Sequence, residues 1–170
     1  MREVDISELN FNPVTMIDQE WMLITAGVEG NYNTMTASWG HIGSIWGHGK
    51  KAATSGVYVR PQRYTKEFVD REPLYTLSFF GPEYKNALGY LGSHSGRDED
   101  KVAKAGLTPV FGDGYTYFAE ANLVLVCRKL YRAPILEEGF LDRETLEKNY
   151  PSRDFHDLYV GKIEKVLISD

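Results

Sequence analysis

The sequence predicts a mainly β fold, an antiparallel barrel with helices on its periphery. Three observations carry that expectation. Strand-length runs rich in β-branched and aromatic residues recur along the chain, the helical stretches among them are short, and no regular strand-helix-strand alternation builds a doubly wound sheet. At 170 residues the chain is expected to form one domain, residues 1–170, large enough to bury a core without disulfides.

The elements follow in order. Residues 1–18 carry scattered charge and a turn at Asn12-Pro13, and read as a lead-in arm with a short strand. Residues 21–28 read as a buried strand, turned at Glu29-Gly30-Asn31 into a second run that pairs with it as a hairpin. In that second run Thr34, Thr36 and Ser38 alternate with Met35, Ala37 and Trp39, so hydroxyls line one face. Such a face suits the edge of a flat heterocycle, and equally an ordinary edge strand with its hydroxyls in water. Residues 40–49 are too glycine-rich for regular structure and read as a loop. Residues 52–59 are strand-like, Pro61 opens a turn, and Thr65 is expected to cap a short helix that Pro73 stops. Residues 74–80 are the clearest strand. Short helices are expected at 84–91 and 97–105, strands at 115–118 and 121–130, a helix at 142–149 and a closing strand at 157–168. Leu123, Val124, Leu125 and Val126 are apolar on both faces of their strand and need cover on both sides; a second subunit is the expected source of one side.

Composition narrows the function classes. The net charge of -5 is spread without long blocks, so neither nucleic acid nor a membrane is expected as a partner. An aromatic share of 13% with eleven tyrosines favours strands, or surfaces that touch planar ligands or a partner subunit. The single cysteine, Cys127, excludes an intramolecular disulfide and sits in an apolar run as a small hydrophobe. No apolar signal core or membrane-length stretch occurs, and a cytoplasmic protein is expected. His41, His48 and His94 match no zinc spacing, and no Gly-x-Ser-x-Gly elbow supports a serine hydrolase.

Three stretches then fall in a telling order: Asn33-Thr34-Met35-Thr36-Ala37-Ser38-Trp39-Gly40, Arg60-Pro61-Gln62-Arg63-Tyr64-Thr65, and Ser93-His94-Ser95-Gly96-Arg97-Asp98-Glu99-Asp100-Lys101. With them, residues 10–168 resemble the flavin reductase-like family of FMN-binding split barrels, the flavoredoxin branch most of all. The resemblance implies a six-stranded antiparallel barrel of Greek-key type and a homodimer with flavin near the subunit interface. It implies that Met35, Thr36, Ser38 and Trp39 meet the flavin ring and its edge. Ser95, Gly96, Arg97 and Lys101 are implied at the phosphate and tail, Arg60 and Thr65 as further FMN contacts, and Ser78, Phe79 and Phe80 on the strand bordering the flavin. By residue type alone, Arg60, Arg63 and Thr65 near a helix N-terminus form a second cationic candidate for an anion.

These residue types suit that ligand for independent reasons. A phosphate asks for guanidinium forks, an ammonium, hydroxyls and free backbone N–H groups, while a flat ring needs hydrogen bonds along its edge. Asp98, Glu99 and Asp100 oppose an anion unless they point away. In such a protein the flavin carries the electrons and the chain positions it. An oxidoreductase using NADH or NADPH is the first expectation; the alternatives are a flavoredoxin-type electron carrier passing electrons to a redox protein partner, and a flavin-free structural module. His156 matches a histidine that family members often carry near the nicotinamide or flavin; the other reading is a surface histidine beside a helix end. Relative to a compact flavin reductase barrel, the stretches 41–49 and 137–150 are additions, placed to cover the ring or to admit a protein partner.

Overall fold

The computed structural model describes residues 1–47 and 53–169. His48, Gly49, the Lys50-Lys51 pair and Ala52 lie outside the described residues, and with them the end of the predicted loop. The strands are β1 (Arg2–Val4), β2 (Met22–Val28), β3 (Asn31–Ala37), β4 (Gly40–Ser44), β5 (Ala53–Val59), β6 (Leu74–Phe79), β7 (Pro109–Phe111), β8 (Thr116–Phe118), β9 (Leu123–Pro134) and β10 (Asp157–Ile168). The helices are α1 (Thr65–Arg71), α2 (Lys85–Ser93), α3 (Lys101–Ala105) and α4 (Arg143–Asn149). A π-helical turn at Thr15–Glu20, which the sequence pattern did not signal, leads into β2.

The main sheet runs β3-β2-β6-β9-β10-β5-β4, with β1 added to the far end of β10, and all its pairings are antiparallel. Its two end strands, β3 and β4, are neighbours in sequence, separated only by Ser38 and Trp39. The sheet must therefore curl until its ends nearly meet, yet those ends are not hydrogen-bonded to each other. A barrel with a split results, and the Ser38-Trp39 corner crosses the split. Each end strand keeps one unpaired edge of backbone N–H and C=O groups there. Six strands were implied by the resemblance; among the described residues there are ten, because β1, β4 and the separate β7-β8 hairpin add to the barrel.

Two apolar clusters hold the sheet. The first fills the barrel and includes Ile24, Met35, Ala37, Val57, Leu77, Phe79, Leu125 and Cys127. The second lies outside the wall, under α2, α3 and β8, and includes Leu23, Phe80, Leu88, Leu91, Val102, Phe118, Val124 and Val126. β9 feeds both. Leu123, Leu125 and Cys127 face the first cluster while Val124 and Val126 face the second. This corrects the expectation of a subunit covering Leu123 to Val126: the chain's own helices cover the outer face, and all four residues are buried without a partner. Burial pushes the Cys127 thiol up to about 12, as expected of a core cysteine.

Several local expectations change. Residues 40–44 form β4 on β5, with His41 opposite Gly56 and Gly43 opposite Thr54, so the glycine-rich stretch is ladder, not loop, through Ser44. Thr65 does not cap α1: it is the first helical residue, buried, with its hydroxyl accepting from Asn33 Nδ2 at 2.8 Å. The helix expected from residue 97 starts only at Lys101, where the Asp100 side chain caps Ala103 N–H. No helix among the described residues is long and apolar enough to cross a membrane.

Candidate functional site

The split holds a cleft of about 260 Å3, lined by Met35, Thr36, Ser38, Trp39, Tyr58 and Arg60, with Ala37, Arg63 and His156. β3 supplies one wall because it is an end strand. Its alternation follows the predicted one: Met35 and Ala37 enter the barrel core, while Thr34 and Thr36 take the opposite face. The hydroxyls on that face are already committed. Thr34 shares a hydrogen bond with Thr25 at 2.8 Å, and Thr36 donates to Leu88 O in α2 at 2.5 Å. What β3 offers the cleft is consequently its free backbone edge and the Met35 side chain more than a row of hydroxyls.

His156 is buried, 8% exposed, against the Trp39 ring at 5.0 Å, and its Nδ1 lies 2.8 Å from the Tyr150 hydroxyl. Burial, reinforced by the charges of Arg60 and Arg63, pushes it down to about 4, so it is a neutral imidazole at pH 7. The surface-histidine reading is thereby excluded. Its neighbour Asp157 does not join it. Successive strand residues face opposite ways, and Asp157 instead binds Lys66 at 2.8 Å and Arg132 at 2.6 Å.

The first two sequence stretches line this cleft, and the third touches them without lining it: Gly96, Arg97 and Lys101 line a separate pocket with Tyr32 and Asn33. Asn33 joins them: its Nδ2 donates to Thr65 Oγ1, and its Oδ1 occupies the space that a Cβ at Gly96 would fill, so the 93–97 loop can lie against β3 only with glycine there. Arg63 donates to Gly92 O at 2.9 Å, and Arg97 lies over the Tyr64 ring at 4.5 Å. Lys101 is 4% exposed, with Nζ donating to Leu91 O and His94 O, both at 2.9 Å. Burial, with the Arg63 charge adding to it, lowers its pKa to about 8.

The cations in this region divide into two kinds. Arg60 is paired with Asp154 and also donates to Asn149 O; Arg97 is paired with Glu67. Arg63 and Lys101 have no carboxylate partner among the described residues, and they bind carbonyls of the same short stretch, Leu91, Gly92 and His94. The acidic run beside them is turned to other work: Glu99 accepts from Tyr90 and pairs with Lys104, and Asp100 caps α3. An ammonium uses three N–H donors, and two of Lys101's are accounted for. Two like charges without a salt-bridge partner among the described residues, at a loop that approaches β3 through a glycine, fit an anion.

Ser95 Oγ accepts from Arg97 N–H at 3.2 Å and holds the turn. Ser78, Phe79 and Phe80 do not reach the cleft. All three are buried, Ser78 and Phe79 in β6 and Phe80 just after it; Phe79 belongs to the barrel core, Phe80 to the outer one, and Ser78 pairs across to Leu23 and Val124 of that outer core. Strand alternation in a two-sided wall consumes both faces, which is why bordering the site in sequence does not bring them to it. Sequence reading passed over Asn33, Tyr58 and Tyr150. Asn33 begins the first motif and was open to notice; the other two are ordinary tyrosines until the fold gathers them.

A family model described as "Flavin reductase like domain" matches residues 16–170. Among solved structures the chain is similar to flavoredoxin from Methanosarcina acetivorans, at 20% identity and TM-score 0.66, covering 89% of this chain and 69% of that one. It is similar to an FMN-binding protein from Thermus thermophilus with bound p-hydroxybenzaldehyde, at 23% identity and TM-score 0.65, covering 88% and 71%. It is also similar to an NADH:FAD oxidoreductase from Streptomyces globisporus C-1027 in complex with NAD and FAD fragments, at 15% identity and TM-score 0.62, covering 88% and 74%. At these identities the likeness is one of fold. No curated protein matches the chain.

Proposed function

The chain belongs to the flavin reductase-like family, and on that footing we propose that it binds FMN across the split and acts as an oxidoreductase with NADH or NADPH as donor. The observation that carries this reading is the contact of three distant segments beside the cleft, tied by Asn33 to Thr65 and Gly96 and by Arg63 to Gly92 O, with two cations there that have no carboxylate partner among the described residues. The residues present fit the group. Met35, Thr36, Ser38 and Trp39 with the free edge of β3 hold the ring, and Arg63, Lys101, Ser95 and Gly96 hold the phosphate end. Arg60 lines the ring cleft, with its charge already shared with Asp154. Arg97 and Thr65 brace the loops from behind. FMN, when bound, supplies the capacity to accept and pass on a hydride or single electrons.

The protein's own part is placement. Trp39 and His156 form a wall held by ring packing, and the Tyr150 hydroxyl fixes the orientation of the imidazole. Because His156 is neutral at pH 7, it serves a substrate as a hydrogen-bond partner and adds no cationic charge at the cleft. A homodimer is part of the same proposal. Its support is exposed apolar surface near the β4 end, where Trp46 packs on Tyr131 at 5.8 Å and Ile45 and Leu130, next to them in the chain, are exposed as well.

The test is anaerobic mixing of the FMN-loaded protein with NADH and, separately, NADPH. Prompt bleaching of the flavin band with either one is expected. A band that persists with both would leave a flavoredoxin-type electron carrier as the function.

A further inference from the structure

Trp39 has a second side. Beyond it lies another cavity, of about 520 Å3, and Ser38, Trp39 and Tyr58 line this cavity and the cleft alike. Its other walls come from the N-terminal arm at Val14 and Ile17, from β4 at Ile42, and from the segment between β9 and β10 at Ile135, Phe140 and Tyr150. The volume falls in the range of small-molecule sites.

The chemistry of the walls restricts the occupant. None of the described lining residues is lysine or arginine, and Asp18 is the one formal charge among them. The polar groups of α4 that border the cavity are used within the helix and its cap: the Thr145 hydroxyl donates to Asp142 at 2.5 Å and Asn149 Nδ2 to Thr145 O at 2.8 Å. Tyr58 and His41 are bonded to each other at 3.2 Å and the Tyr150 hydroxyl to His156, so the remaining polar side chains at the wall are Ser38 and Asp18. An anion entering here would lose its hydration without compensation and a cation would find only Asp18, whereas an apolar ring would cover side chains that now face water, Val14 at 71% exposure and Trp39 at 40%.

The outer wall is also braced against collapse. Phe140 packs on Tyr150 at 5.7 Å and on Phe155 at 6.1 Å, and Tyr150 packs on Trp39 at 6.4 Å. Arg153, held with φ of 56°, binds Glu137 at 3.1 Å and Glu147 at 2.7 Å and so fastens the whole segment. The addition at 137–150 thus builds a wall beside the split.

We propose that this cavity is a binding site for an uncharged, flat and largely apolar small molecule of one or two fused rings, seated against the face of Trp39 away from the cleft. The assignment deepens the proposed function, and rests on it only in making that molecule the neighbour of a flavin.

Equilibrium dialysis with 1-naphthol and 1-naphthoate at neutral pH tests it, because the two probes share a ring system and differ in charge. The protein is used both loaded with FMN and stripped of it. The expected result is one naphthol per chain, bound at least about tenfold more tightly than naphthoate. Val14→Asp, a change at an exposed rim position that the fold tolerates, and Ile135→Trp, which fills the cavity, should each weaken naphthol by about tenfold or more while FMN content stays unchanged. Equal binding of both probes, or indifference to both variants, overturns the proposal. So does release of FMN by naphthol, which would make the cavity part of the ring's own seat. Naphthol binding as expected in a protein that takes up no FMN upholds this site and removes the flavin reading instead.

Discussion

The barrel interior and the split are made by the same strands under different rules. Inside, nearly every polar group forced into the core finds a partner within the chain. The Thr25 and Thr34 hydroxyls bond each other, Thr76 donates to Thr116 O at 2.6 Å, and Ser55 joins the Tyr75 hydroxyl at 2.8 Å and the Cys127 thiol at 3.2 Å. Among the described residues, Ser78 Oγ is the one buried side-chain atom without a partner. At and beside the split the opposite holds: Arg63 and Lys101 lack a salt-bridge partner among the described residues, the β3 edge lacks a strand, and Trp39 faces a cavity on each side. The contrast teaches that the residues stabilising this fold and the residues offering it to a ligand are separable sets.

Breaking the interior alone gives the largest effect. Leu125 is fully buried in the barrel cluster, and Leu125→Ala should cost about 2–5 kcal/mol of stability in urea unfolding. FMN affinity per folded molecule should be unchanged. A parallel loss of affinity would mean that the two sets are one.

A pH titration of stability probes the boundary between the regions. The folded pKa of His156, about 4, lies below the ordinary value of 6.5. Between those values the unfolded chain takes up a proton that the folded protein resists. Stability carried by this group is therefore full above about pH 6.5, falls as the pH is lowered through that window, and levels off below about 4. The loss should be on the order of 3 kcal/mol relative to a His156→Gln variant. Identical acid profiles for the two proteins would place the histidine in water.

The smallest effect sharpens the split itself. Lys101 begins to lose its proton near pH 8. Only the charged ammonium attracts a phosphate, so FMN affinity should fall by up to about tenfold per pH unit above 8, while riboflavin affinity stays level. Parallel curves for the two flavins would take Lys101 out of the phosphate site.

Much of this architecture was legible. The β2-β3 hairpin and β6 follow from strand-like runs bounded by Gly, Asn and Pro, and β10 was legible over its full length from its own run. β4 was not, because Gly40 and Gly43 lower local strand propensity and only the ladder to β5 offsets that. The outer cover of Val124 and Val126 was missed for a related reason: helices arriving from residues 85–105 supply it, and no local pattern signals where they dock. In the site, the three stretches announced their residue types but not their charge state. Glu67 and Asp154, which neutralise Arg97 and Arg60, lie 30 and 94 residues away from them in the chain. Of the three arginines that the sequence offered, Arg63 is left as the guanidinium without a carboxylate partner among the described residues, a distinction that long-range pairing alone decides.

Paired titrations of FMN and riboflavin into the wild-type protein and Arg63→Ala test the central claim most directly. A charge-assisted contact to the phosphate is worth about 1.5–3 kcal/mol, so Arg63→Ala should weaken FMN by roughly tenfold to a hundredfold and leave riboflavin nearly untouched. If both flavins weaken equally, or neither binds the wild-type protein, the phosphorylated flavin does not sit across this split.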